Sequence, residues 1–150
     1  MIRPIIQRGS VLVEFSLVLP LFLMIVFGMV EFGFAIHDKN IITQAARVGA
    51  RAGILLRPTL DANGNLVDPQ LSTVISTATS YTQNYCAGNL ISLGSGAASC
   101  SVAITANSLL ADAPFTVTAS YTYQGLLLGR LLGLTGNSIS MSSRVTMYRE

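Results

Sequence analysis

A long apolar run near the N-terminus dominates the pattern of hydrophobic and polar positions. Residues Phe15 to Val30 carry no charge, and the apolar stretch extends from Val11 to Ile36 with only Glu14 and Glu31 as interruptions. About 20 apolar residues at 1.5 Å rise each cross the hydrocarbon core of a bilayer. The pattern therefore predicts a membrane-spanning helix over about residues 11–36, with a buried core helix as the alternative.

Beyond Ile36 the helical pattern continues to about Ala52 and becomes amphipathic. Pro20 is the one interruption, and its missing N–H group predicts a kink, either harmless or a soft point that lets the helix bend on leaving the membrane. Small residues recur every three or four positions, which predicts close packing on the chain's own sheet. The positions that allow the closest approach are Ala46, Gly49, Ala50 and Gly53. Between them, Arg47 and Arg51 are predicted to face solvent or an acidic partner.

The remaining sequence predicts one more helix and three strands. Asp68-Pro69 has the form of a helix N-cap and first position, and apolar residues at helical spacing predict a helix over about residues 69–84. Alternation with a period of two predicts strands at Ser101–Thr105, Phe115–Gln124 and Ser138–Tyr148 in an antiparallel sheet. The predicted fold class is α+β: a long N-terminal helix followed by a small head of one helix and about three strands.

Two connecting segments carry possible sites. In the segment from Asp61 to Asp68, Asn63-Gly64 is a strong turn signal. Its Asp-x-Asn-x-Asn spacing resembles the start of a calcium loop, but Leu66 and Ser72 stand where glycine and a bidentate glutamate are needed, so a plain turn is favoured. Between the last two strands lies a leucine-rich segment that either folds on the core or docks another subunit. Its candidate contact residues are Leu126, Leu127 and Leu128.

Composition excludes several classes of function. Hydrophobic residues make up 51% of the 150 residues and charged ones 11%, with a net charge of +2, which argues against disorder. The basic residues are scattered, so no nucleic-acid surface is expected. One histidine, His37, interpreted as interfacial, and two cysteines leave little material for catalysis. We expect no enzyme activity, cofactor, metal or small-molecule substrate.

Charge placement suggests an orientation. Arg3 and Arg8 precede the apolar run, so the positive-inside rule places the N-terminus in the cytoplasm and the head outside it. In that oxidising compartment a disulfide between Cys86 and Cys100 is expected, worth about 3 kcal/mol for a loop of this length, with two free buried thiols as the alternative.

Glu14 needs a partner if it enters the membrane, since a buried carboxylate there costs about 2.5–3.5 kcal/mol. No Lys or Arg lies three or four residues away. If the chain were cut after Gly9, Ser10 would carry a positively charged α-amine one helical turn from Glu14. A plain interfacial carboxylate is the alternative.

The sequence from Arg8 to Phe15 resembles the cleavage site of type IV pilin-like precursors, in which a basic leader ends in glycine and glutamate is the fifth mature residue. The longer N-terminal stretch is more specifically similar to the TadE-like pseudopilins of tight-adherence (Tad) pili. The matching features are Val13-Glu14-Phe15, Pro20, Glu31, Ala45-Ala46-Arg47 and Gly49-Ala50-Arg51, with looser similarity at Ser120–Tyr123 and Val145–Glu150.

The resemblance implies a minor pilin or pseudopilin that takes part in pilus biogenesis, initiation or adhesion. A prepilin peptidase would cut between Gly9 and Ser10, so residues 1–9 would be the leader, 10–53 the long helix and 54–150 the extracytoplasmic head. Expected partners are the bacterial inner membrane, the peptidase, other pilin subunits and the pilus assembly platform. Glu14 would recruit the subunit by pairing with a neighbour's N-terminal amine. The alternatives are an uncleaved single-pass anchor presenting a binding domain, and a secreted domain cut after Ala35 by signal peptidase.

Overall fold

The computed structural model of the chain describes residues 7–56, 59–60, 62–64, 66–67, 69–92, 99–106, 112–125 and 138–149. Two helices, a short hairpin and a three-stranded sheet follow one another along the chain. They are α1 (Gln7–Leu55), β1 (Thr59–Leu60), β2 (Leu66–Val67), α2 (Leu71–Asn89), β3 (Ser101–Ala106), β4 (Pro114–Gln124) and β5 (Ser138–Tyr148). The predicted α+β fold with a long N-terminal helix is confirmed.

Helix α1 runs for 49 residues and is helical on both sides of Pro20. It ends at Leu55, shortly before Arg57-Pro58, where a proline disfavours helical geometry in the residue before it. The helix therefore carries both predicted halves, the apolar one and the amphipathic one, as a single element.

Helix α2 begins two residues later than the sequence suggested, so the prediction of Asp68-Pro69 as its start is wrong. Gln70 is the N-cap, with extended φ/ψ of −64° and 141°, and its side chain makes no capping hydrogen bond. Pro69, the residue before this cap, lies outside the helix. At the other end the helix reaches Asn89, because its buried stripe continues in steps of four to the disulfide-bonded cysteine: Val74, Ala78, Thr82 and Cys86.

The three longer strands form an antiparallel sheet in the order β3-β4-β5. Val117 in the central strand pairs with Ile104 of β3 and Val145 of β5. The predicted strands agree with the observed ones to within one residue at each end. The short hairpin turns at Asn63-Gly64 as predicted, and Gly64 has a φ of 81°, which favours glycine. The other two positions of the Asp-x-Asn-x-Asn pattern, Asp61 and Asn65, lie outside the described residues.

The second half of α1 lies between α2 and the sheet. Strand β5 runs alongside it in the same direction: the Lys39 ammonium donates to the Ser142 carbonyl, and the Arg149 guanidinium donates to the Leu56 carbonyl at 2.9 Å. Helix α2 runs the opposite way. The core between these layers includes the alternating face of β4 that the sequence predicted: Phe115, Val117, Ala119, Tyr121 and Tyr123.

A disulfide joins the C-terminal end of α2 to the start of β3. Cys86 and Cys100 are bonded, with their Cα atoms 5.9 Å apart, and both are buried. The predicted disulfide is therefore confirmed.

Candidate functional site

The candidate cleavage and recruitment residues lie in the first turns of α1, far along the chain from the head. Gly9, Ser10 and Glu14 are all exposed. Ser10 and Glu14 are four residues apart, so they lie on one side of the helix with a rise of about 6 Å between them. Within the part of the chain that the structure describes, Glu14 forms no hydrogen bond or ion pair. Its carboxylate is thus available to a group that the described chain does not supply.

Residues 11–30, the apolar segment, are almost entirely uncovered. Its large hydrophobic side chains, apart from the partly covered Leu19 and Met24, have exposed fractions between 36% at Val26 and 76% at Leu17. Among the described helices, α1 is the one that is long and apolar enough to cross a membrane, and its most apolar stretch is not buried. A soluble core helix would be mostly covered, so the exposed surface favours an environment of lipid or neighbouring apolar helices.

The four small residues predicted to allow close approach are all buried inside this chain. Gly49 faces α2, where an added Cβ would stand 3.0 Å from the Ala78 carbonyl and closer still to the Thr82 hydroxyl. Gly53 faces the sheet, where an added Cβ would overlap the Phe115 ring. Ala46 and Ala50 are fully buried beside them. This face therefore serves the packing of the chain on its own sheet, as predicted, and on α2 as well.

Arg47 and Arg51 point away from that core. Both are exposed, and with Gln44, Val48 and Met147 they line a shallow depression of about 300 Å³. No acidic partner for them occurs among the residues the structure describes. A role in binding another subunit stays a prediction for these arginines. The candidate contacts at Leu126, Leu127 and Leu128 lie outside the described residues.

Two carboxylates whose burial the sequence analysis did not predict, Glu31 and Asp38, lie where α1 meets the head. Asp38 is 0% exposed; its Oδ1 accepts the Ile91 N–H at 3.0 Å, while its buried Oδ2 has no hydrogen-bond partner in the described structure. Glu31 is 7% exposed. The available signal was their spacing of seven residues, which places both on the same buried stripe of α1 as Ala35 and Ile42.

These carboxylates influence two tyrosines of β4. Burial raises the pKa of the Tyr123 phenol, and the negative charges of Glu31 and Asp38 raise it further. Burial also raises the pKa of Tyr121, against a hydrogen bond to Ser92 that lowers it. Both phenols are therefore neutral at physiological pH. The cluster is a structural contact between helix and sheet, and within the described residues no group of three or more His, Cys, Asp or Glu side chains could hold a metal ion.

Comparison with known proteins identifies the N-terminal part of the chain. The model of a family described as TadE-like protein matches residues 9–51. This segment is similar to that family. It starts at the candidate cleavage residue and includes the apolar segment and most of the amphipathic half of α1. The resemblance inferred from the motifs is thereby confirmed.

The match to the TadE-like family model suggests an association with Tad pili. The exposed apolar helix fits membrane anchoring. The segment does not include α2 or the sheet, so the match gives the head no separate identity. Neither the curated proteins nor the solved structures contain a significant match to this chain.

Proposed function

We propose that this protein is a minor pilin or pseudopilin of a Tad-type pilus, made as an inner-membrane precursor and cut after Gly9 by a prepilin peptidase. The observation that carries the proposal is the TadE-like match over residues 9–51 on a helix whose apolar half is uncovered. Together these favour a subunit whose N-terminal helix is held first by lipid and then by other helices.

Cleavage would change the charge at the tip of α1. Removal of residues 1–9 gives Ser10 a positively charged α-amine, one turn before Glu14. A carboxylate in an apolar environment is retained when it is paired, and in a bundle of such helices the amine of a neighbouring subunit is a suitable partner. Pairing of Glu14 with that amine then requires each entering subunit to lie at the correct position along its neighbour.

The head fits an extracytoplasmic location. Its disulfide between Cys86 and Cys100 is of the kind that persists in oxidising compartments. With the N-terminus in the cytoplasm, the head would face the periplasm until assembly. We place the head's role in pilus initiation or adhesion, with other pilin subunits and the assembly platform as partners.

The two alternatives differ in how well they fit the structure. An uncleaved anchor is favoured by one observation: α1 is already helical from Gln7, across the candidate cleavage site. A secreted domain cut after Ala35 fits poorly, because cleavage would remove Glu31 and Ala35, both buried against the head.

Substitution of Glu14 by alanine tests the proposal. In Glu14→Ala we expect normal membrane insertion and loss of assembled pili, because the helix loses its charged partner group but none of its apolar surface. Ser16→Ala is the matched control, since Ser16 is exposed on the same helix and its hydroxyl bonds only to the Val13 carbonyl within the described structure. Membrane fractionation and pilus counts by electron microscopy provide the readouts. Wild-type pilus numbers in Glu14→Ala would contradict the recruitment role.

A further inference from the structure

An apolar groove lies where the apolar segment of α1 meets the end of the sheet. It has a volume of about 510 Å³, and we call it the junction groove. Its most exposed large side chains are Met29 at 71%, Phe32 at 66% and Ile139 at 53%. Exposed apolar side chains from a helix and from a strand thus converge on one groove. Among the residues that the structure describes, the lining is Gly28, Met29, Glu31, Phe32, Ala35, Tyr123, Gly125 and Ile139.

The position of the groove along α1 coincides with the expected edge of a bilayer. Residues 11–30 make 20 positions, which at 1.5 Å each span about 30 Å, the thickness of the hydrocarbon core. If the apolar segment fills that thickness, the helix leaves the hydrocarbon at Glu31. The junction groove extends about one turn to either side of this point. It is therefore continuous with the lipid-facing surface of the helix.

The burial of Glu31 supports the same placement. A carboxylate at the edge of the hydrocarbon is costly when it faces lipid. Here Glu31 is 7% exposed and Tyr123, on the strand that lines the same groove, is 2% exposed. The end of β4 thus covers the one carboxylate that the apolar run carries at its head end. If Glu31 lies at the edge of the hydrocarbon, the sheet end that covers it lies at the same depth, next to the lipid headgroups.

The outer face of the sheet is polar. Its residues on β4 and β5 are mainly serine and threonine, with Thr116 and Thr146 hydroxyls 2.8 Å apart and Ser101 and Ser120 hydroxyls 2.9 Å apart. Such a face gains nothing from contact with acyl chains. The head would therefore approach a bilayer through its sheet end and not through its broad face.

We propose that the head rests on the bilayer surface through its sheet end, with the junction groove occupied by acyl chains of membrane phospholipids. This inference rests on the proposed membrane insertion of α1 and adds a second contact between protein and lipid. The contact between the sheet end and lipid holds the head against the membrane until the subunit is extracted. On transfer to the filament, the groove loses its acyl chains and makes other contacts.

Tryptophan fluorescence tests the proposal, because the chain contains no tryptophan. Three single-tryptophan variants of the full chain are reconstituted in phosphatidylglycerol and phosphatidylcholine vesicles, with and without bromine on the acyl chains. Ile139→Trp reports on the groove, Tyr148→Trp reports on the far end of the same strand, and Phe22→Trp reports on the middle of the apolar segment. Ser138→Trp, at an exposed neighbouring position, replaces Ile139→Trp if that variant fails to fold.

We expect bromolipid to quench Phe22→Trp strongly, Ile139→Trp clearly and Tyr148→Trp little. Quenching of Phe22→Trp without quenching of Ile139→Trp or Ser138→Trp would overturn the proposed contact between the junction groove and acyl chains. It would leave the membrane insertion of α1 intact. Absence of quenching in Phe22→Trp would overturn membrane insertion itself. Quenching of Ile139→Trp that disappears as the protein-to-lipid ratio rises would identify a second copy of the chain in the groove and would also contradict the proposal.

Discussion

At the scale of single residues, Gly49 determines how closely the two helices of the head approach. Its Cα lies against Thr82 and the Ala78 carbonyl, a distance that leaves no room for a methyl group. The Thr82 hydroxyl is itself committed, because it donates to that carbonyl at 2.7 Å. A methyl group on Gly49 would therefore displace the Thr82 hydroxyl from this hydrogen bond, and it would still press on the Ala78 carbonyl, which belongs to the helix backbone.

Gly49→Ala is therefore expected to destabilise the head by about 1–3 kcal/mol, the usual cost of overpacking a well-packed core. Gly88→Ala is the matched control: it is also a helical glycine, but an added Cβ there meets nothing within 4 Å. In Gly88→Ala we expect a gain of up to about 1 kcal/mol from reduced backbone entropy in the unfolded chain.

Urea unfolding in detergent micelles, followed by near-UV circular dichroism, measures both effects. All five tyrosines lie beyond residue 80 and tryptophan is absent, so the tyrosine signal reports on the head; the aromatic residues of the apolar segment are phenylalanines. Equal stability of Gly49→Ala and Gly88→Ala would contradict the close contact between α1 and α2.

The sequence predicted the small-residue face but not the burial of Glu31 and Asp38. The spacing of alanines and glycines is local information, and it indicates which side of α1 packs. The burial of the two carboxylates depends on how far the sheet extends along the helix and on where the chain after α2 passes. Those are tertiary distances that no local pattern encodes.

At the scale of elements, strands were predictable and the start of α2 was not. Strict alternation in β4 separates a buried face from a hydroxyl-rich face, which fixes the strand and its bounds together. For α2, the local preference of Asp68-Pro69 for a helix start places the first residue two positions too early, because Gln70 is the N-cap. Capping propensity is a weak guide, which other parts of the structure can override.

The disulfide constrains α2 and β3 relative to each other, and its contribution to the free energy of unfolding can be measured. It closes a loop with a sequence separation of 14 between the last turn of α2 and the start of β3. Replacing both cysteines by serine is expected to lower the free energy of unfolding by about 3 kcal/mol, because the unfolded chain regains that loop entropy.

The same micelle-based urea experiment measures the loss in the Cys86→Ser/Cys100→Ser variant. Wild-type protein treated with a reductant serves as the control and should lose a similar amount. A double variant as stable as the oxidised wild type would show that the packing of α1 against α2 and the sheet holds the head without the bridge.

At the scale of the whole molecule, one helix serves two environments. The second half of α1 is covered by α2 and the sheet, whereas residues 11–30 expose apolar side chains throughout. This division was readable from the sequence, since hydropathy changes near residue 36 and small residues begin soon after. The sequence did not predict which partners the head binds, because recognition depends on surfaces assembled from distant segments.

The mature N-terminus is the most direct test of the account. Protein purified from its native cells is examined by intact mass and by terminal sequencing. We expect a chain that begins at Ser10, which would place Glu14 at the fifth mature position. A chain that retains residues 1–9, or one that begins at Ile36, would contradict it.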